Sequence, residues 1–143
     1  MFEKIKVGTV QLFQKVITRE DTALNYGSGV HKNLLATPAL VAFMIECTTK
    51  MVDSKLPEGY VTIGKSFSVD HLAPTAKELS VTVEATLKEV ERNRLSFDIT
   101  VWDEIGIVAT GAHERYIVKY DNFMDKVEER VKILTKKNLR VEL

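Results

Sequence analysis

The sequence predicts an α+β domain in which one antiparallel β-sheet wraps a long buried central helix, with an amphipathic helix closing the chain. Three observations lead there. Residues 34–45 are small and apolar apart from Thr37, with Pro38 just behind it. A helix that is apolar on nearly every face has to be enclosed on all sides. From Tyr60 onward the apolar residues recur with a period of two, the signature of half-buried strands. After Asp121-Asn122, Phe123, Val127, Val131 and Leu134 recur at helical spacing. A helix and a sheet each have an apolar face to hide from water, and curling one round the other hides both.

In chain order, residues 7–17 are rich in β-branched residues and read as a first strand. Residues 18–29 read as a loop or short helical turn ending in glycines. The central helix starts at Thr37-Pro38. There a threonine hydroxyl can cap orphan N–H groups, and proline gives up a donor that has no partner. At about 1.5 Å per residue, residues 38–52 span a little over 20 Å, enough to cross a small sheet and too little for a bilayer. Pro57 and Gly59 break the chain next.

The strand over residues 60–71 places Val61, Ile63, Phe67, Val69 and His71 on one face, with Lys65 as its misfit. Leu79, Val81, Val83, Ala85 and Leu87 alternate with polar residues, as do Leu95, Phe97, Ile99 and Val101. Residues 91–94 join these two runs as a hairpin. A fourth run over residues 107–120 puts His113 and Arg115 on one face with Ile107, Ala109 and Ile117. The final helix has Asp121-Asn122 as its cap region and Glu128 four residues before Lys132. A sheet curled round an apolar helix in this order is the hot-dog architecture. Its open edges carry Val, Thr and Tyr residues, which predicts at least a dimer.

The composition narrows the function. The chain of 143 residues fits one domain, residues 1–143, large enough to bury about 70% of its unfolded surface. Twenty basic residues balance twenty acidic ones, which disfavours nucleic acid and anionic membranes as partners. The one cysteine, Cys47, excludes an internal disulfide, reads as a packed thiol and suits a reducing compartment. The first residues alternate charged and apolar side chains without a signal-peptide core, so a cytoplasmic location is expected.

Several residues carry chemical possibilities. His71 lies on an inward face at a strand end, where it would act as acid or base, or else be a buried imidazole bonded to a backbone carbonyl. Thr37 reads as the helix cap, at an end where backbone N–H groups can stabilise an oxyanion. Glu46, the only carboxylate in residues 38–52, is a general base of raised pKa or a solvated or interface residue. An inward Arg115 needs an anionic partner: Glu46, another carboxylate, or a ligand. Gly64 marks either a close approach of ligand or backbone, or a bulge. His31 reads as an ordinary loop residue. The three histidines have no ligand-like spacing, so no metal is expected, and there is no Gly-rich phosphate loop.

Residues 36–40 (ATPAL), 62–64 (TIG), 69–75 (VDHLAPT) and 111–115 (GAHER), in this order and over most of the chain, resemble the fluoroacetyl-CoA thioesterase family of hot-dog proteins. The resemblance implies a dimeric thioesterase, with tetramers as a further pairing, acting on small acyl-CoA substrates. It implies neither metal nor cofactor beyond the coenzyme A of the substrate. By the family's pattern Thr37 and His71 are catalytic, and Gly64 and Arg115 bind substrate. The family's catalytic carboxylate lies eight residues after the threonine, where this chain has Ile45; Glu46 follows at nine. One residue rotates a helix by about 100°, so Glu46 aims elsewhere unless the helix start is offset. Two other readings stand beside hydrolysis: a binding module that keeps the pocket without catalysis, and a hot-dog hydratase or dehydratase, for which no motif is found.

Overall fold

A computed structural model describes residues 2–27 and 29–142, with side chains up to residue 137. Ser28, within the predicted loop, lies outside the described residues. The elements are β1 (Val10–Val16), α1 (Thr37–Val52), β2 (Tyr60–His71), β3 (Ser80–Glu91), β4 (Arg94–Trp102), β5 (Ile107–Lys119) and α2 (Tyr120–Glu142). The predicted loop after β1 holds two short 3-10 turns, Arg19–Asp21 and Ala23–Asn25, and a third, Asp53–Lys55, follows α1. The strands form one five-stranded antiparallel sheet in the order β1-β3-β4-β5-β2. This is the predicted hot-dog arrangement, and β1 and β2 are its edges.

The sheet covers one face of α1, and the expectation of a helix enclosed on all sides is not met within one chain: Ala42, Glu46 and Lys50 on the other face are exposed, with Val41 and Ile45 half-buried. Leu40, Met44, Cys47, Met51 and Val52 of the helix are buried, as are Val81, Val83, Ala85 and Leu87 of β3 and Leu95, Phe97, Ile99 and Val101 of β4. Cys47 is a packed thiol that donates to the Gln11 carbonyl at 3.3 Å. Burial pushes its pKa up to about 11, so it stays protonated and inert near neutral pH. Among the described residues no helix is long and apolar enough to cross a membrane.

Several predicted details change. The first strand is shorter than residues 7–17, and Leu79, predicted inward, is exposed because β3 begins after it. A bulge between Gly64 and Ser66 makes Lys65 the extra residue of β2. Each side of a bulge keeps period two, but the parity changes across it. The inward face is therefore Thr62 and Gly64 before Lys65, then Phe67, Val69 and His71, and not Val61 and Ile63. A second irregularity at Val108 turns Ile107 outward, 55% exposed, while His113, Arg115 and Ile117 stay inward. The C-terminal helix needs no Asp121-Asn122 cap. It starts at Tyr120, whose N–H donates to the Gly59 carbonyl at 2.8 Å.

Candidate active site

The start of α1 differs by one residue from the prediction. Ala36 is the N-cap without a side-chain hydrogen bond, and Thr37 is the first helical residue, with Pro38 after it. The Thr37 hydroxyl, freed from capping, lies 2.9 Å from Nδ1 of His71, which ends β2. His71 keeps the inward face it shares with Phe67 and Val69, beyond the bulge at Lys65. Burial pushes the His71 pKa below its ordinary value, and the nearby Ala73 backbone offsets part of that drop without giving Nε2 a hydrogen-bond partner. A neutral imidazole with a free Nδ1 lone pair accepts the Thr37 proton, and Nε2 then carries the ring proton.

A cavity of about 580 Å³ opens over this pair, lined by Tyr26, Leu34, Leu35, Pro38 and Leu72. His31, read from the sequence as an ordinary loop residue, also lines it. Neither Tyr26 nor His31 announces itself in the sequence, because their turn-rich segment has no periodicity from which to read an inward face.

Gly64 and Arg115 form a second cluster. They are register partners on β2 and β5, and a Cβ on Gly64 would sit 3.5 Å from Nη1 of Arg115. Arg115 is buried, donating from Nε to the Thr62 hydroxyl at 2.8 Å, from Nη2 to the Thr62 carbonyl at 3.0 Å and from Nη1 to Nε2 of His113 at 3.3 Å. The Thr62 hydroxyl in turn donates to Oδ1 of Asp53 at 2.5 Å. The anionic partner that Arg115 needed is thus Asp53, reached through Thr62, and not Glu46. Sequence reading missed Thr62 because the Lys65 bulge hides its true face.

Within one chain the two clusters stay apart. His71 lies seven positions after Gly64 in β2, up to about 23 Å along an extended strand. Glu46 joins neither cluster. Its side chain is 50% exposed, 3.6 Å from Lys50 one turn along the helix. It lies nine positions after Thr37 in the helix, about 13.5 Å of rise.

Residues 17–121 match the family described as fluoroacetyl-CoA-specific thioesterase. The chain is 31% identical over 97 residues to the fluoroacetyl-CoA thioesterase of Streptantibioticus cattleyicolor, covering 68% of this chain and 70% of that protein. A hot-dog-like protein from Thermanaerovibrio acidaminovorans superposes with a TM-score of 0.84 at 34% identity, covering 90% of this chain and 94% of the other. A mutant of the fluoroacetyl-CoA-specific thioesterase superposes with a TM-score of 0.82 at 26% identity, covering 88% and 97%. A thioesterase superfamily member from Thermus thermophilus gives 0.82 at 26% identity, covering 93% and 97%. The fold and the sequence converge, and the chain belongs to the family of fluoroacetyl-CoA-specific thioesterases.

Proposed function

We propose that this protein hydrolyses the thioester of a small acyl-CoA, giving the free acid and coenzyme A. The observation that carries this is the 2.9 Å contact between Thr37 and Nδ1 of His71 at the mouth of a cavity, beside the N-terminus of α1. The thioester carbonyl sits against the free backbone N–H groups of the first turn, where the helix dipole favours the developing oxyanion. His71 takes the proton of water or of Thr37 as the new C–O bond forms, and returns it to the departing thiolate as the C–S bond breaks. Thr37 is the hydroxyl that positions water, or it is the nucleophile, in which case water deprotonated by His71 then hydrolyses its acyl ester and frees the acid and the hydroxyl. These side chains need no metal, and coenzyme A enters only with the substrate.

The protein works, in this reading, as a homodimer. Strand β2 is a sheet edge, and we infer a two-fold axis near Phe67 and Ser68 that pairs it antiparallel with its copy. That pairing sets Gly64 and Arg115 of one chain beside His71 of the other, which reconciles two clusters up to about 23 Å apart in a single chain. Glu46 is the proposed carboxylate of the reaction, and it would serve only if the second copy brings it to the site. A cytoplasmic location goes with the reading, supported by the single buried thiol.

The exposed, Lys50-paired Glu46 and the apolar Ile45 favour a second reading, a hot-dog module that binds acyl-CoA without turning it over. A panel of acyl-CoA esters followed for free thiol decides between them. Thiol release on small acyl groups supports the hydrolase; saturable binding without thiol release supports the module.

A further inference from the structure

His113 takes no part in the chemistry above, yet it is 3% exposed and held on both ring nitrogens. Its Nδ1 lies 2.8 Å from the Ser66 carbonyl and therefore carries a proton. Its Nε2 faces Nη1 of Arg115 at 3.3 Å and therefore accepts, since a guanidinium only donates. The neutral imidazole is the one form that satisfies both neighbours. Arg115 commits one N–H from each of its three nitrogens, to Thr62 twice and to His113. A guanidinium has five N–H groups, so one remains on each terminal nitrogen. Gly64 has no side chain to cover this spot: a Cβ there would sit 3.5 Å from Arg115 Nη1 and 3.6 Å from His113 Cε1.

We propose that His113 is a positioning residue: as a neutral acceptor it holds the two uncommitted N–H groups of Arg115 towards an oxygen of the bound acyl-CoA, and protonation of His113 releases them. This rests on the reading of Arg115 as a substrate-binding residue. Burial holds the His113 pKa below its ordinary value; the Ser66 carbonyl opposes that shift and the Arg115 charge adds to it. The other charges around His113 are compensated. Asp53 lies behind Thr62, and in the depression on the far side Lys88 pairs with Asp98 while Glu89 and Glu114 pair with Arg94. The Phe67 and Phe97 rings supply the remaining walls.

Calorimetric titration with a non-hydrolysable thioether analogue of acetyl-CoA tests this between about pH 8 and pH 5, the range of a histidine switch. Wild-type affinity is expected to fall on the acid side. His113→Gln, whose amide can donate to Ser66 and accept from Arg115 without titrating, keeps the affinity and loses the acid limb. His113→Phe loses roughly tenfold or more at every pH, the scale of one hydrogen bond to a charged group. An unchanged acid limb in His113→Gln overturns the proposal, as does wild-type affinity in His113→Phe or no binding by the wild type. If His113→Phe fails to fold, the His113→Gln profile still decides. Binding with the expected profile but no thiol release from any acyl-CoA would sink the hydrolase reading alone.

Discussion

Replacing Thr37 with alanine removes the hydroxyl that meets His71, and replacing His71 with alanine removes the proposed base. Loss of a general base costs about 10²–10⁴ in rate, so His71→Ala should lower kcat by that range in a thiol-release assay while the fold melts cooperatively as before. Glu46 is expected to behave differently. A Glu46→Gln variant that keeps the full rate would leave the proton work to Thr37 and His71, whereas a loss comparable to His71→Ala would show that a second copy delivers the carboxylate. The pH dependence follows from burial. His71 and His113 both have folded pKa values below the ordinary 6.5. Between that folded value and 6.5 the unfolded chain binds more protons than the folded one, so this contribution to stability is complete above pH 6.5 and is lost as pH falls to the folded pKa. Melting temperatures measured down through that window should decline, with a smaller decline in His113→Gln.

The elements show where local pattern suffices and where it fails. The runs that became β3 and β4 were legible because each keeps an unbroken period of two across the inward residues, from Val81 to Leu87 and from Leu95 to Val101. The run that became β2 was legible as a strand but not by face, since one extra residue at Lys65 reverses the parity of everything before it. Thr62 was therefore assigned to the wrong side, and with it the partner of Arg115. Gly111 shows the opposite case, a residue whose role only packing discloses. A Cβ there would lie 2.6 Å from Cε of Met44 and 2.8 Å from the Ser68 carbonyl oxygen. The methionine can swing away but the backbone of β2 cannot. Gly111→Ala should destabilise the fold by about 1–3 kcal/mol, read from denaturant unfolding.

At the scale of the whole molecule the proposed two-fold makes a sharp prediction. If each active site takes His71 from one chain and Arg115 from the other, inactive His71→Ala and Arg115→Ala proteins, unfolded together and refolded in equal amounts, should recover about a quarter of the wild-type rate through mixed dimers with one intact site. No recovery would place the whole site in one chain. The helix α2 leaves a further apolar stripe outside the domain, with Val131 55% and Leu134 51% exposed. By itself the sequence determined the α+β class, the central helix, the hairpin and, through its short motifs, the family, because apolar periodicity and short motifs are local properties of the chain. Only the tertiary structure decided that Thr37 bonds His71 instead of capping the helix, that Arg115 answers to Asp53 through Thr62, and that Glu46 faces solvent. Those outcomes depend on bulges and on contacts between residues far apart in sequence, where a shift of one position moves a side chain to the opposite face.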